Sequence, residues 1–166
     1  MIRSTSINPV NYNASFVFSL ENDNKDLVAQ TGFWSNYWLA PGKGANQGFD
    51  ISLGRRKTVV GVKLKNTHNA WDRDRSAKEF KILGSLNENG PWEELLHENL
   101  EDSRQQDPPP LQQFMFAKSA SAEFIQFQLL DYWGVGGGLQ HLCIMSPTTT
   151  SSATTTTTPV GGDKLI

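Results

Sequence analysis

The feature that most constrains the fold is residues 58–85, where two alternating apolar patterns flank one long polar segment. At residues 60–65 valine and leucine alternate with glycine and lysine, and further on Phe80 and Ile82 share one face. A period of two predicts a half-buried strand on each side. The segment between them, residues 66–77, is rich in Asn, Asp and Arg. Rigid strands that hold out such a loop are typical of a binding protein.

The rest of the chain carries short alternating segments separated by turn signals, without a convincing helical pattern. The other predicted strands are residues 15–20, 49–53, 113–116, 124–130 and 139–145. The pattern at residues 92–100 fits a strand or a short helix, and its surroundings favour a strand. The predicted turns and loops are residues 87–91, 101–110 and 131–138, and residues 1–13 are predicted to lie loose. Many short strands between turns predict an all-β sandwich or jelly roll.

Composition changes abruptly at Pro147, where a segment rich in Thr and Ser begins. It offers no residues for a core, so it predicts a disordered tail or linker. The predicted organisation is one domain, residues 1–146, followed by the tail, residues 147–166. A Thr-rich segment with proline is typical of a glycosylated extracellular stalk, and a plain flexible linker fits equally well.

Charge and hydropathy exclude several classes of function. The net charge of −2 gives no basic footprint for nucleic acid. No apolar run approaches the roughly 18 residues that span a membrane. The N-terminus also lacks the apolar core of a signal peptide. The chain is therefore either intracellular or a piece of a longer precursor.

The sequence lacks the residue patterns of an enzyme. The three histidines, His68, His97 and His141, are scattered and do not form a zinc motif. The glycines at residues 134–138 are not followed by the Lys-Ser/Thr of a phosphate loop, and a strand follows them where that loop needs a helix. The single cysteine, Cys143, lies in an alternating apolar segment and is read as a buried small side chain in preference to a reactive thiol. We therefore predict a non-catalytic protein.

Short motifs along the chain agree in order and spacing with one known family. They are residues 38–40 (WLA), 49–54 (FDISLG), 59–64 (VVGVKL), 76–82 (SAKEFKI), Trp92, 124–127 (FIQF) and 138–142 (GLQHL). The chain resembles the discoidin domain, also called the coagulation-factor type C domain, among the galactose-binding-like jelly rolls. The resemblance implies an eight-stranded barrel that binds glycans, phospholipid head groups or proteins through loops at one end.

The chain departs from that family in three places. Cys143 is near the position of a family cysteine but has no N-terminal partner for a disulfide. The usual segment before the early strand is replaced by residues 30–38. Residues 66–69 (NTHN) are not the common loop sequence, although relatives use this loop to contact their ligands.

A sugar site needs a flat aromatic ring and planar polar groups. The candidate ligand-binding residues are Asn66, His68, Asn69, Trp71, Arg73, Arg75, Tyr132 and Trp133. Structural alternatives stay open, because asparagines close turns and Tyr132 also suits the core. An exposed Trp71 would also suit a phospholipid surface, but one Trp without a basic cluster binds membranes weakly.

The resemblance also implies a structural Ca²⁺ near the first loops. The candidate ligands are Glu21, Asp23 and Asp26, which supply the hard oxygen atoms that Ca²⁺ prefers. An ordinary polar turn is the favoured interpretation of these residues.

Together these observations predict a module for adhesion or recognition, extracellular or at the cell surface, whose partner is a glycan or a cell-surface glycoprotein. The alternative is an intracellular galactose-binding-like domain that mediates a protein–protein interaction. The lone cysteine and the missing signal peptide favour the alternative, and the Thr-rich tail is neutral or opposed to it. A third hypothesis is an accessory module of a glycan-processing enzyme.

Overall fold

The computed structural model describes residues 2–4, 18–20, 38–40, 47–67 and 73–147. These residues form eight strands: β1 (Ile2–Ser4), β2 (Phe18–Leu20), β3 (Trp38–Leu39), β4 (Gln47–Asn66), β5 (Arg75–Ser85), β6 (Glu93–Asn99), β7 (Leu111–Gly134) and β8 (Gly138–Met145). No helix of the described ranges is long and apolar enough to cross a membrane.

Two long strands, β4 and β7, run through both layers of a β-sandwich. They pair with each other over residues 47–52 of β4 and again over residues 57–65, with an interruption between Ser52 and Lys57. Gly54, within this interruption, has a positive φ of 75°, a conformation that bends a strand at little cost for glycine. Each long strand therefore turns a corner and returns in the other layer.

The strands are connected in one hydrogen-bonded path that these corners fold into two layers. The first layer has the order β1, β4, β7, β5, β6, and the second has the order β2, β8, β4, β7. The short β3 also pairs with β8. All pairs are antiparallel except that of β2 with β8.

One end of the sandwich, the loop end, gathers the termini of several strands. Asn66, Asn99 and Gly134 end their strands there, and Arg75 and Gly138 begin theirs. The connections from β4 to β5, from β6 to β7 and from β7 to β8 therefore begin and end at this end. The opposite end, the corner end, holds the strand corners and the turn between β5 and β6.

A chain of aromatic rings joins the two layers. Phe127 stacks on Phe49 and Phe80, with ring centroids 5.3 and 5.8 Å apart, and meets Trp38 edge-on at 5.9 Å. Phe80 then meets Phe114 of the second layer at 5.3 Å. Trp38, Phe49, Phe80 and Phe127 are fully buried. Such pairs add about 0.5–1.5 kcal/mol each beyond their buried area.

The structure confirms several predicted elements. The ambiguous residues 92–100 form strand β6, and β8 covers the predicted last strand. The turn after β5 is closed by a hydrogen bond of 3.1 Å from the N–H of Gly90 to the carbonyl of Asn87. Residues 101–110 form a loop, as predicted from their prolines.

Other predicted boundaries were wrong. The predicted strands 49–53 and 58–65 are one strand, β4, and those at 113–116 and 124–130 are one strand, β7. In both, exposed corner residues had been taken for strand ends. The predicted loose segment 1–13 contains β1, which pairs with β4.

The predicted turn at residues 131–138 was also wrong in extent. Its first residues continue β7, because Asp131, Tyr132 and Trp133 pair with Glu79, Ala77 and Ser76 of β5. Glycine-rich composition had suggested a turn where the ladder of β5 in fact holds an extended strand. Of the predicted strand at residues 15–20, the described part is β2. The predicted tail lies outside the described residues, apart from Pro147.

Candidate functional site

Asn66 closes the base of the loop that joins β4 to β5. Its side-chain amide donates to the carbonyls of Ala77 and Glu101 at 2.8 and 3.0 Å. Its Oδ1 accepts from the N–H groups of Thr67 and Ala77 at 3.0 and 2.8 Å. Asn66 has no exposed surface, and these four bonds occupy the whole amide. Its side chain is therefore fully buried and engaged in holding the framework.

A buried serine pair extends this framework. The hydroxyls of Ser76 and Ser103 lie 3.1 Å apart, and that of Ser103 donates to the carbonyl of Thr67 at 2.9 Å. All three residues are buried. The N–H of Leu100 also donates to the carbonyl of Lys78 at 2.7 Å. The loop after β6 is thus fastened across the start of β5. It lies beside the connection from β4 to β5, residues 67–74, which we call the candidate loop.

Arg75 braces a second part of the loop end. Its Nη1 donates to the carbonyl of Ala40 at 2.9 Å, and its guanidinium lies where a side chain at Gly136 would project. The N–H of Val135 donates to the carbonyl of Asp74 at 2.8 Å. Arg75 therefore ties the candidate loop to the turn between β7 and β8.

Trp133 presents a half-buried ring near the end of β7. The ammonium of Lys78 lies 5.0 Å from the ring centroid, which is cation–π distance. The same ammonium bonds Asp131 at 2.5 Å. This bond and that from the N–H of Tyr132 lower the pKa of Asp131. The indole N–H points to the carbonyl of Leu100 at 3.4 Å, so the ring is held by one edge.

Arg73 is a partly exposed arginine of the candidate loop. Its guanidinium is 3.9 Å from the carboxylate of Asp107, and the two side chains are 39% and 67% exposed. So long and exposed a pair contributes little to stability. Its φ of 47° lies in the left-handed region. Arg73 is therefore held by its backbone more than by its charge.

An aspartate–arginine pair stiffens the neighbouring loop. Arg104 Nη2 and Nε bond the Asp102 carboxylate at 2.8 and 2.9 Å. The Arg104 side chain lowers the pKa of Asp102. Sequence analysis did not identify this pair, the two serines or the Lys78–Asp131 contact. Loop 101–110 has no periodic signal, and only the fold lays it against β5.

The predicted site residues fall into three groups. Arg73, Arg75, Tyr132 and Trp133 lie at the loop end, with Tyr132 half-buried beside Ala77. Asn66 is there too, but beneath the surface. The others, His68, Asn69 and Trp71, lie outside the described residues.

The predicted calcium ligands Glu21, Asp23 and Asp26 also lie outside the described residues. Within the described ranges, no three His, Cys, Asp or Glu side chains cluster to hold a metal ion. Cys143 is described and fully buried, which confirms the interpretation of a small core side chain.

Comparison with known families decides the classification. The model of the F5/8 type C domain matches residues 5–143. The chain belongs to the F5/8 type C domain family. This is the family that the sequence motifs resembled, and its discoidin domains are the galactose-binding-like jelly rolls predicted above. No curated protein sequence matches the chain significantly.

Solved structures show the same jelly-roll fold at low identity. Chitosan-binding module 1 from a chitosanase/glucanase of Paenibacillus sp. IK-5 is 16% identical, with a TM-score of 0.62 over 88% of this chain and 94% of that one. The module CpGH89CBM32-5 of Clostridium perfringens, solved with GalNAc-β-1,3-galactose, is 15% identical, with a TM-score of 0.65 over the same shares.

A third F5/8 type C relative by fold is the family 32 carbohydrate-binding module of C. perfringens NanJ, solved with galactose. It is 16% identical, with a TM-score of 0.60 over 86% of this chain and 90% of that one. The structural matches establish the fold of this F5/8 type C domain. At such low identity they do not assign its ligand.

Proposed function

We propose that this F5/8 type C domain is a non-catalytic glycan-binding module that uses the loops at the loop end. The observation that carries the proposal is the clamp formed by Asn66. One buried amide joins the end of β4, the start of β5 and the loop after β6. A binding loop needs such a rigid base, because a preorganised site loses less entropy when it binds.

The described side chains above this base suit a sugar. The ring of Trp133 can stack on the C–H face of a pyranose, and Arg73 can donate to neighbouring hydroxyls. Lys78 and Asp131 lie against the ring and offer further polar contacts. The candidates His68, Asn69 and Trp71 rest on the sequence alone, within the same loop.

The relatives support glycan as the ligand class. Two of them were solved with galactose or a galactose-containing disaccharide, and a third is a chitosan-binding module. For this chain the ligand remains part of the proposal, as do its extracellular or cell-surface location and its role in adhesion. Galactose-terminated glycans are the first probes to use.

The test is glycan-array binding by the full chain and by paired variants. Trp133→Ala and Arg73→Asn alter the loop end, and asparagine tolerates the left-handed backbone at position 73. Trp92→Ala is the matched control, because Trp92 is also half-buried but lies next to the turn at the corner end. Circular dichroism verifies that each variant is folded.

We expect saturable binding that Trp133→Ala and Arg73→Asn weaken at least about tenfold, or about 1.4 kcal/mol, and that Trp92→Ala preserves. An array without signal from a folded chain would contradict the proposal and favour a protein partner. Parallel arms with Ca²⁺ and with phosphatidylserine vesicles test Glu21, Asp23 and Asp26 and the phospholipid alternative.

A further inference from the structure

The second layer of the sandwich ends in an exposed strand edge. This edge is the first segment of β7, residues 111–122, which pairs with β4 on one side. β7 pairs with β5 only from Phe124 onwards, in the other layer. No strand in the described part of the chain pairs with the other side of residues 111–122. Such an edge presents backbone groups that can receive another strand.

The first part of the edge lacks the charges and prolines that normally prevent association. Residues 111–117 (LQQFMFA) contain neither a charged residue nor a proline. Leu111 and Met115 are 47% and 54% exposed, and they alternate with the exposed Gln113. The inward residues Phe114 and Phe116 pack in the core and hold the strand extended. An extended, uncharged and partly apolar edge is a site for strand addition.

We propose that this edge pairs antiparallel with the same edge of a second copy of the chain, about a twofold axis at Gln113. In this register Leu111 of one copy lies opposite the partner's Met115, and the two Gln113 amides face each other. Apolar and amide side chains opposite each other stabilise antiparallel pairs. A twofold arrangement closes on itself, and residues 111–115 of each copy receive a strand partner.

Opposite charges flank the uncharged stretch of the edge. Lys118 follows it, is 81% exposed and lies 3.6 Å from Glu93 of its own chain, whereas Asp107 precedes it, is 67% exposed and lies 3.9 Å from Arg73. Both ion pairs are long and exposed, so they hold these charges weakly. Antiparallel pairing carries Lys118 of each copy towards the partner's Asp107. A parallel pair would instead bring like charges together, so the charge pattern selects the antiparallel dimer.

The dimer would place the two loop ends close to the twofold axis and facing in opposite directions, because β7 begins at the loop end only two residues before Gln113. If the proposed glycan site is present there, the dimer carries two glycan sites near its axis. This consequence rests on the proposed function, whereas the dimer itself does not.

Sedimentation of the full chain over a range of concentrations tests the dimer without any glycan. We expect a monomer–dimer equilibrium whose Kd rises at least about tenfold in Met115→Lys. The matched control is Leu86→Lys, because Leu86 is also a large exposed apolar residue, at 41%, but lies at the corner end. Lys118→Glu should weaken the dimer, and Asp107→Lys added to it should restore it.

Cysteine crosslinking tests the register. Under mild oxidation the Gln113→Cys variant should form a disulfide-linked dimer, because equivalent positions on the axis meet at disulfide distance. The Ala117→Cys variant should not, since position 117 is exposed but lies away from the axis. The wild-type chain, in which Cys143 is buried, measures the background crosslinking. A chain that stays monomeric at the highest soluble concentration, or equal crosslinking of both variants, would overturn the proposal.

Discussion

The side-chain amide of Asn66 and the backbone of Ala77 form two reciprocal hydrogen bonds, both 2.8 Å long. The amide acts as one more peptide group in the ladder where β4 and β5 approach the candidate loop. A third bond, to the carbonyl of Glu101, brings in the loop after β6. Asn66, a candidate ligand-binding residue by its sequence, is thus buried and braces the base of the candidate loop.

Replacing Asn66 should destabilise the domain strongly. Asn66→Ala leaves the N–H and carbonyl of Ala77 buried without partners, so we expect a loss of about 3 kcal/mol in the free energy of unfolding. Urea unfolding measures this loss. Asn99→Ala, at an exposed asparagine of β6, is the control and should change stability by no more than about 0.5 kcal/mol. Equal effects of the two variants would show that the clamp does not matter.

Gly134 should tolerate no side chain. Its φ is 84°, and a Cβ atom there would collide with the carbonyl of Asp74. Gly134→Ala therefore combines backbone strain with displacement of the candidate loop, and we expect a loss of about 3 kcal/mol. Gly54→Ala has a similar φ of 75° but open space around the new methyl group, so strain alone should cost about 1 kcal/mol. A thermal-unfolding comparison that ranks them in reverse would contradict this explanation.

His141 should make stability depend on pH. Burial, and then the charge of Lys65 on the paired strand, lower its pKa from 6.5 to about 4. The unfolded chain therefore takes up this proton more readily. The stability that neutral His141 provides is complete above pH 6.5, falls by about 1.4 kcal/mol per pH unit below it, and is lost near pH 4.

The measurement is urea unfolding of the wild type and His141→Gln between pH 7.5 and 4. The wild type should lose more stability than the variant over this range, because the variant lacks the titrating group. Parallel curves would show that His141 does not cause the dependence. Carboxylates titrate in both proteins and cancel in the comparison.

Lys78 should control the charge of Asp131. Its hydrogen bond is the main cause of the lowered pKa of Asp131, with the N–H of Tyr132 second. In Lys78→Met we expect the Asp131 pKa to rise towards its ordinary value, measured by NMR titration of the side-chain carboxyl. The emission of Trp133 should change in the same variant, because the ammonium no longer lies over its ring. An unchanged pKa would mean that the ion pair does not form in solution.

The sequence was informative where side chains alternate against the core. Val62, Leu64, Phe80 and Ile82 are all fully buried, as their spacing predicted. The corners of β4 and β7 could not be read in this way, because exposed residues interrupt the alternation while the ladder resumes beyond them. An alternating pattern shows which residues are buried. At a corner the exposed residues still belong to the same strand, so the end of the pattern does not mark the end of the strand.

The polar loop between β4 and β5 was predictable from the sequence, but the contacts of its residues were less so. Composition identified the polar loop, and the structure places Arg73, Arg75, Tyr132 and Trp133 around its base. The sequence could not reveal that the Asn66 side chain turns inward, because an asparagine before a loop can close a turn, bind a ligand or brace the loop equally well. Ser103 was missed because its contacts, Ser76 and Thr67, are distant in the chain.

The most direct test of glycan binding at the loop end is an NMR titration of the ¹⁵N-labelled chain with GalNAc-β-1,3-galactose. The account predicts shifts concentrated at the backbone amides of residues 73–76 and 133–137. It predicts no change at Gly54 or at the turn 87–90 of the corner end. Saturable shifts at the corner end, or no shifts at the loop end with a glycan that binds on the array, would contradict it.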